Sequence, residues 1–120
     1  MSKEKIAILE QVMEQIERNS TISCNYIDNR GCKCAVGYIM DQCGVDMEFF
    51  DRHDKVNDET IDRLIVAFPR AMEPLQDYGF TSEELQQIQN INDSADDSYQ
   101  RAEEVINYMY AMIRELKQTV

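Results

Sequence analysis

The chain has 120 residues, a one-domain length, and 43% of them are hydrophobic, which excludes a disordered polymer. Acidic residues number 23 against 12 basic ones, a formal charge of −11, so direct nucleic-acid binding, which needs a lysine and arginine footprint, is not expected. No run approaches the ~18 apolar residues of a membrane span, and the opening Met-Ser-Lys-Glu-Lys lacks the apolar stretch of a signal peptide, so the expectation is a cytoplasmic protein with no membrane partner.

Taken in chain order, Ser2 can cap a first helix running to about Arg18, with Ile6, Leu9, Val12, Met13 and Ile16 recurring at steps of three and four. Asn19, Ser20 and Thr21 break that pattern. Ile22 to Tyr26 alternate partially, Asp28-Asn29-Arg30-Gly31 is a turn signal, and Cys32 to Cys34 can return, which together predict a short β-hairpin near residues 22–34. Cys34 to Met40 is nearly unbroken apolar sequence and predicts a buried helix stopping at Gly44, a natural left-handed cap. Within it, the small residues Ala35 and Gly37 would admit the backbone of another helix.

Asp46 can cap a short helix carrying Met47, Phe49 and Phe50, after which residues 51–58 are polar. Asp58 is expected to open a helix with Ile61, Leu64, Ile65 and Phe68 on one face, ended or kinked by Pro69 and followed by a turn through Met72 and Leu75 to Tyr78-Gly79. Thr81 and Glu84 have the spacing of a capping box, with Phe80 placed to staple onto Leu85 and Ile88 and Ile91 continuing the face to Asn92-Asp93. The last helix, Ser98 to Lys117, carries Tyr99, Ala102, Val105, Ile106, Met109, Met112, Ile113 and Leu116 as its apolar stripe, and its length suits a central strut of the core. The fold class is therefore all-α or mainly α: one acidic domain over residues 1–120, a compact bundle of five to seven helices with at most one small hairpin.

Cys24, Cys32, Cys34 and Cys43 lie within 20 residues of one another. Clustered thiols invite a zinc reading, with His53, the single histidine, as a further ligand, but the C-x7-C-x-C-x8-C spacing is not that of a finger or ribbon. Nine helical positions, ~900° of rotation, would also turn Cys34 and Cys43 to opposite sides. Buried reduced thiols are the favoured reading, with no metal and no cofactor.

Charge is unevenly spread. Residues 1–40 are balanced, whereas residues 41–62 hold eight acids against Arg52 and Lys55, over half of the chain's excess. Fields of this kind steer association with basic partners, although a solvated face that keeps the chain dispersed has the same composition. An EF-hand is excluded because neither Asp51–Asp62 nor the stretch from Asn92 has glycine at the sixth position. His53 has no neighbour marking it as a base, and the chain has neither a P-loop nor a G-x-G-x-x-G, so no catalytic residues are assigned.

Two segments carry a family resemblance: Gly31-Cys32-Lys33-Cys34-Ala35-Val36-Gly37-Tyr38, and Tyr78-Gly79-Phe80-Thr81-Ser82-Glu83-Glu84-Leu85 with Ile88, Ile91, Asn92 and Asp93. Their order resembles small phage- and prophage-encoded helical proteins, in which a C-x-x-G helix precedes a capped helix ending in Asn-Asp and then a final amphipathic helix. The resemblance implies a bacterial host cytoplasm and carries no catalytic residues. It spans roughly residues 30–113 but leaves the acidic segment 41–62 unmatched. The expected function is a non-enzymatic inhibitor or modulator that docks an acidic surface on a host protein with a basic surface, such as a defence or nucleic-acid enzyme. Asp46, Glu48, Asp51, Asp54, Asp58, Glu59 and Asp62 would steer the encounter, with Phe49 and Phe50 as exposed anchors. The alternatives are a zinc- or thiol-dependent protein using the four cysteines and His53, and a homodimer formed through Met109 and Met112 of the last helix.

Overall fold

Helices with one apolar stripe bury it against each other, and the computed structural model, which describes residues 2–19, 22, 26–27, 31–52, 59–95 and 97–118, is built on that rule. Its helices are α1 (Ser2–Asn19), α2 (Ala35–Cys43), α3 (Met47–Arg52), α4 (Ile61–Ala67), α5 (Pro69–Asp77), α6 (Ser82–Ser94) and α7 (Ser98–Gln118). An all-α bundle is what the periodicity predicts. Of the hairpin expected near 22–34, residues 23–25 and 28–30 lie outside the described residues, and Ile22, Tyr26, Ile27 and residues 31–34 form no strand.

The most deeply set element is α2. Its first six residues are apolar or small all round and have no solvent face to offer, so they are enclosed, and only Asp41 near its end is exposed. Residues Ala35 to Met40 are all buried, and α1, α5 and α6 pack around them. The expectation that the last helix is the central strut is corrected here. One side of α7 lies on α1 and α6, with Val105, Met109 and Ile113 buried, while its Tyr99 is 79% exposed. Its charged opposite face needs water and keeps it on the outside.

Gly37 is used differently from the expectation. A Cβ there would lie 2.0 Å from the carbonyl oxygen of Tyr26, so the approaching backbone belongs to the irregular segment before α2 and not to another helix. Tyr26 is held in that place by its hydroxyl, which donates to the Glu59 carbonyl at 2.8 Å, and by its ring against Phe50 at 5.7 Å. At the far end of α2, Gly44 takes φ 100°, and its amide and that of Val45 close onto the carbonyls of Asp41 and Met40.

Local signals set most of the other boundaries. The Asp46 carboxylate accepts from the Glu48 amide at 3.1 Å and starts α3. The helix expected to open at Asp58 opens instead at Ile61, because the Thr60 hydroxyl takes the Arg63 amide. Pro69 cannot continue α4 and is pre-set for the first turn of α5, which makes Phe68, at φ −131° and ψ 62°, the pivot of a corner between them. The capping box forms as expected: the Glu84 amide donates to the Thr81 hydroxyl at 3.1 Å and the Thr81 amide donates to the Glu84 carboxylate at 2.9 Å.

Candidate functional site

The two segments that carry the resemblance come together at the start of α2. Cys34 is the N-cap of that helix: its sulfur accepts from the Gly37 amide at 3.3 Å, and its S–H donates to the Gln89 side chain of α6 at 3.2 Å. Asn92, also on α6 and fully buried, accepts from the Ala35 amide at 3.0 Å through its side-chain oxygen. Two of the donors that a helix start leaves without intrahelical partners are thus taken, one locally and one by a residue 57 positions away. Arg101 of α7 completes the junction by donating to the Asn92 carbonyl at 2.7 Å and the Ile22 carbonyl at 3.0 Å.

The remaining motif positions are also structural. Gly79 adopts φ 88° at the end of α5, and its carbonyl accepts from the Lys5 ammonium at 3.0 Å. That ammonium also pairs with Glu84 at 2.7 Å and sits 5.2 Å over the ring of the buried Phe80. Leu85 and Ile88 are fully buried. The Cys34–Gln89 and Ala35–Asn92 contacts thus tie α2 to α6, and Lys5 ties α1 to the α5–α6 connection.

The thiols follow from this. Burial pushes Cys34 up to about 12, against amide hydrogen bonds that pull it down, and burial pushes Cys43 up to about 12 as well. Both are protonated at neutral pH and are poor nucleophiles. They stand at opposite ends of α2, about 13 Å apart along its axis, too far to share one ion. Cys32 is half-buried, and Cys24 and His53 lie outside the described residues. The zinc or thiol reading, which also calls on Cys24 and His53, therefore falls partly outside the described residues.

The acidic flank is the opposite kind of place. Asp46, Glu48 and Asp62 face solvent and Glu59 is partly exposed, while the side chain of Asp51 and the whole of Asp54 and Asp58 lie outside the described residues. Arg52 approaches Asp46 at 4.0 Å and Glu48 at 3.8 Å, and Arg63 approaches Glu59 at 3.6 Å. Exposed pairs this loose are each worth about 0–1 kcal/mol, so they leave the carboxylates free to exchange partners.

Phe50, expected as an exposed anchor, is 1% exposed and belongs to the core, because the Tyr26 and Phe49 rings enclose it. Phe49 is half-buried, its ring edge against Phe68 at 5.0 Å. Beside the acidic segment, accessible apolar surface lies instead one helix further on. Val66 is 82% exposed and Phe68 36% exposed, and with Leu64 and Ala67 they line an open hollow of about 590 Å³ edged by Glu59, Asp62 and Arg63. Met109, expected on a self-pairing face, is fully buried.

Lys5, Asn92 and Val66 each carry a signal of their placement in the sequence. Lys5 falls on the same stripe as Leu9, Val12 and Ile16, and Asn92 on that of Leu85 and Ile88, whereas Val66 falls off the stripe of Ile61, Leu64 and Ile65. A polar residue in register with the core predicts a buried hydrogen-bonding group, and an apolar one out of register predicts exposed surface. No family model matches the chain, and neither a curated protein nor a solved structure matches it. No helix among the described residues is long and apolar enough to cross a membrane.

Proposed function

We propose that the chain is a non-catalytic binding protein that acts by holding its acidic flank, α3 with the start of α4, against a basic surface of a bacterial host protein. The observation that carries this reading is the placement of Asp46, Glu48 and Asp62 in solvent within the segment 41–62, which has a net charge of −6. At physiological salt, exposed charges act over roughly 8 Å, so acids gathered in one segment reinforce one another toward an approaching cation while the balanced N-terminal third does not. The resemblance to phage and prophage proteins supports a host defence or nucleic-acid enzyme as the target, its basic groove occluded by the docked bundle. The protonated, enclosed state of Cys34 and Cys43 supports a role without thiol chemistry.

The test is affinity capture from a bacterial lysate with the native chain and with a variant in which Asp46, Glu48, Glu59 and Asp62 are all replaced by lysine. The native chain is expected to retain a discrete basic protein at about 50 mM salt and to release it at about 300 mM, and the variant to retain none of it. The same protein retained equally by both chains would overturn the proposal.

A further inference from the structure

The α4–α5 corner leaves apolar surface in water. Pro69 ends α4 after seven residues, and its restriction on Phe68 turns the chain so that Val66, Ala67 and Phe68 stand at the outside of the bend. Leu64, 1% exposed, anchors the floor of the hollow in the core, and the Phe49 ring supports Phe68 from behind. Val66 touches nothing that would bury it, so it offers most of its area to an incoming group. A volume of about 590 Å³ exceeds one amino-acid side chain and suits two or three set close together.

We infer that this hollow receives two or three bulky apolar side chains from one face of a basic amphipathic helix in the partner protein. The inference rests on the acidic-flank reading for the sign of the partner's charge, and adds the shape and chemistry of what is bound. Charge complementarity selects the occupant. Glu59 and Asp62 stand on the rim, Arg63 is drawn to Glu59 at 3.6 Å, and the segment leading into α4 is strongly acidic. A second copy of the chain would bring the same acids to the same rim, with −11 behind each copy. An anionic lipid surface would be repelled in the same way. A strand added edge to edge needs a sheet, and the described residues contain no strand to extend. A helix presenting apolar residues at i, i+3 or i+4 and i+7, with lysine or arginine flanking them, meets both the hollow and its rim.

The experiment is a fluorescence-anisotropy titration of the full chain with two synthetic peptides of equal positive charge. One is a lysine-rich amphipathic helix with leucine at those positions, and the other has alanine there. The native chain is expected to bind the leucine peptide about tenfold more tightly than the alanine peptide, because two or three leucines partly buried in an open hollow together lose about as much apolar area to water as one large side chain fully buried. Val66→Ser, an exposed change that leaves the fold intact, is expected to remove most of that preference without weakening the alanine peptide. Phe68→Ser is expected to do the same, and the Val66 variant decides the matter if Phe68→Ser unfolds. Equal affinity for the two peptides would overturn the inference while leaving the acidic-flank reading standing, since charge alone would then carry binding. A leucine preference unchanged by Val66→Ser would overturn the location. Binding of neither peptide would overturn the inference, and the lysate capture would decide the wider reading separately.

Discussion

At the α2–α6 junction polar groups turn inward and find fixed partners, whereas on the α3–α4 flank they face water in loose pairs. Asn92 is fully buried and takes the Ala35 amide at 3.0 Å, and Cys34 is a cap on one side and a donor on the other. Arg52, by contrast, reaches Asp46 and Glu48 at 4.0 and 3.8 Å without committing to either. Apolar groups invert the pattern: Leu85 and Ile88 are sealed at the junction, and Val66 is 82% exposed on the flank. The junction is thus fixed by its internal partners, and the flank is left as open, charged surface. Residues that look most like a motif in the sequence belong to the first region, and those that the resemblance leaves unmatched belong to the second.

The largest effect is expected from alkaline pH. Cys34 and Cys43 stay protonated in the folded chain up to about 12, while in the unfolded chain they ionise near pH 8.5, so the unfolded state loses protons first. The stability they contribute is fully present below about pH 8.5 and is lost as pH rises toward 12. Burial raises the Tyr26 phenol as well and adds to the loss from about pH 10 upward. Denaturant titrations across this range should show a falling midpoint, and a thiol reagent at pH 8 should label neither Cys34 nor Cys43 until the chain unfolds.

Gly37→Ala comes next. Its Cβ would lie 2.0 Å from the Tyr26 carbonyl oxygen, a backbone atom that cannot swing aside, and the expected cost is about 3 kcal/mol in chemical denaturation. Asn92→Leu leaves the buried Ala35 amide without its acceptor and should cost about 2 kcal/mol by the same measurement. Cys34→Ala removes the cap of α2 and should cost about 1 kcal/mol, with Cys34→Ser recovering much of it because a hydroxyl can also accept from the Gly37 amide. Replacing Asp46, Glu48, Glu59 and Asp62 together by lysine should move stability by less than about 1 kcal/mol, because exposed pairs contribute little, while altering capture strongly. If the junction variants abolished capture without lowering stability, or the flank variant unfolded the chain, the division between the two regions would fail.

Much of the fold can be read from the sequence because the signals are local. The Thr81–Glu84 box, the Gly44 cap, the break at Pro69 and the stripe of α1 each depend on residues within a few positions of one another. What escapes is set by distant partners. That Tyr26 crosses Gly37, that Lys5 reaches Glu84 79 positions away, and that Phe50 is sealed by Tyr26 follow only once the helices have docked. The acidic character of the candidate site is legible from composition, but its apolar component is not. Phe49 and Phe50 lie within the acidic segment, yet the more accessible apolar side chains beside it are Val66 and Phe68, because a seven-residue helix ended by proline turns them outward.

Amide hydrogen exchange of the full chain, with and without a saturating leucine-bearing basic peptide, separates a binding flank from a folding junction. Slowed exchange is expected at residues 47–49 and 59–68, with none around Cys34–Gly37 or Gln89–Asn92 beyond what the alanine peptide produces. Protection confined to the outer faces of α1 and α7, or no protection anywhere, would contradict that division.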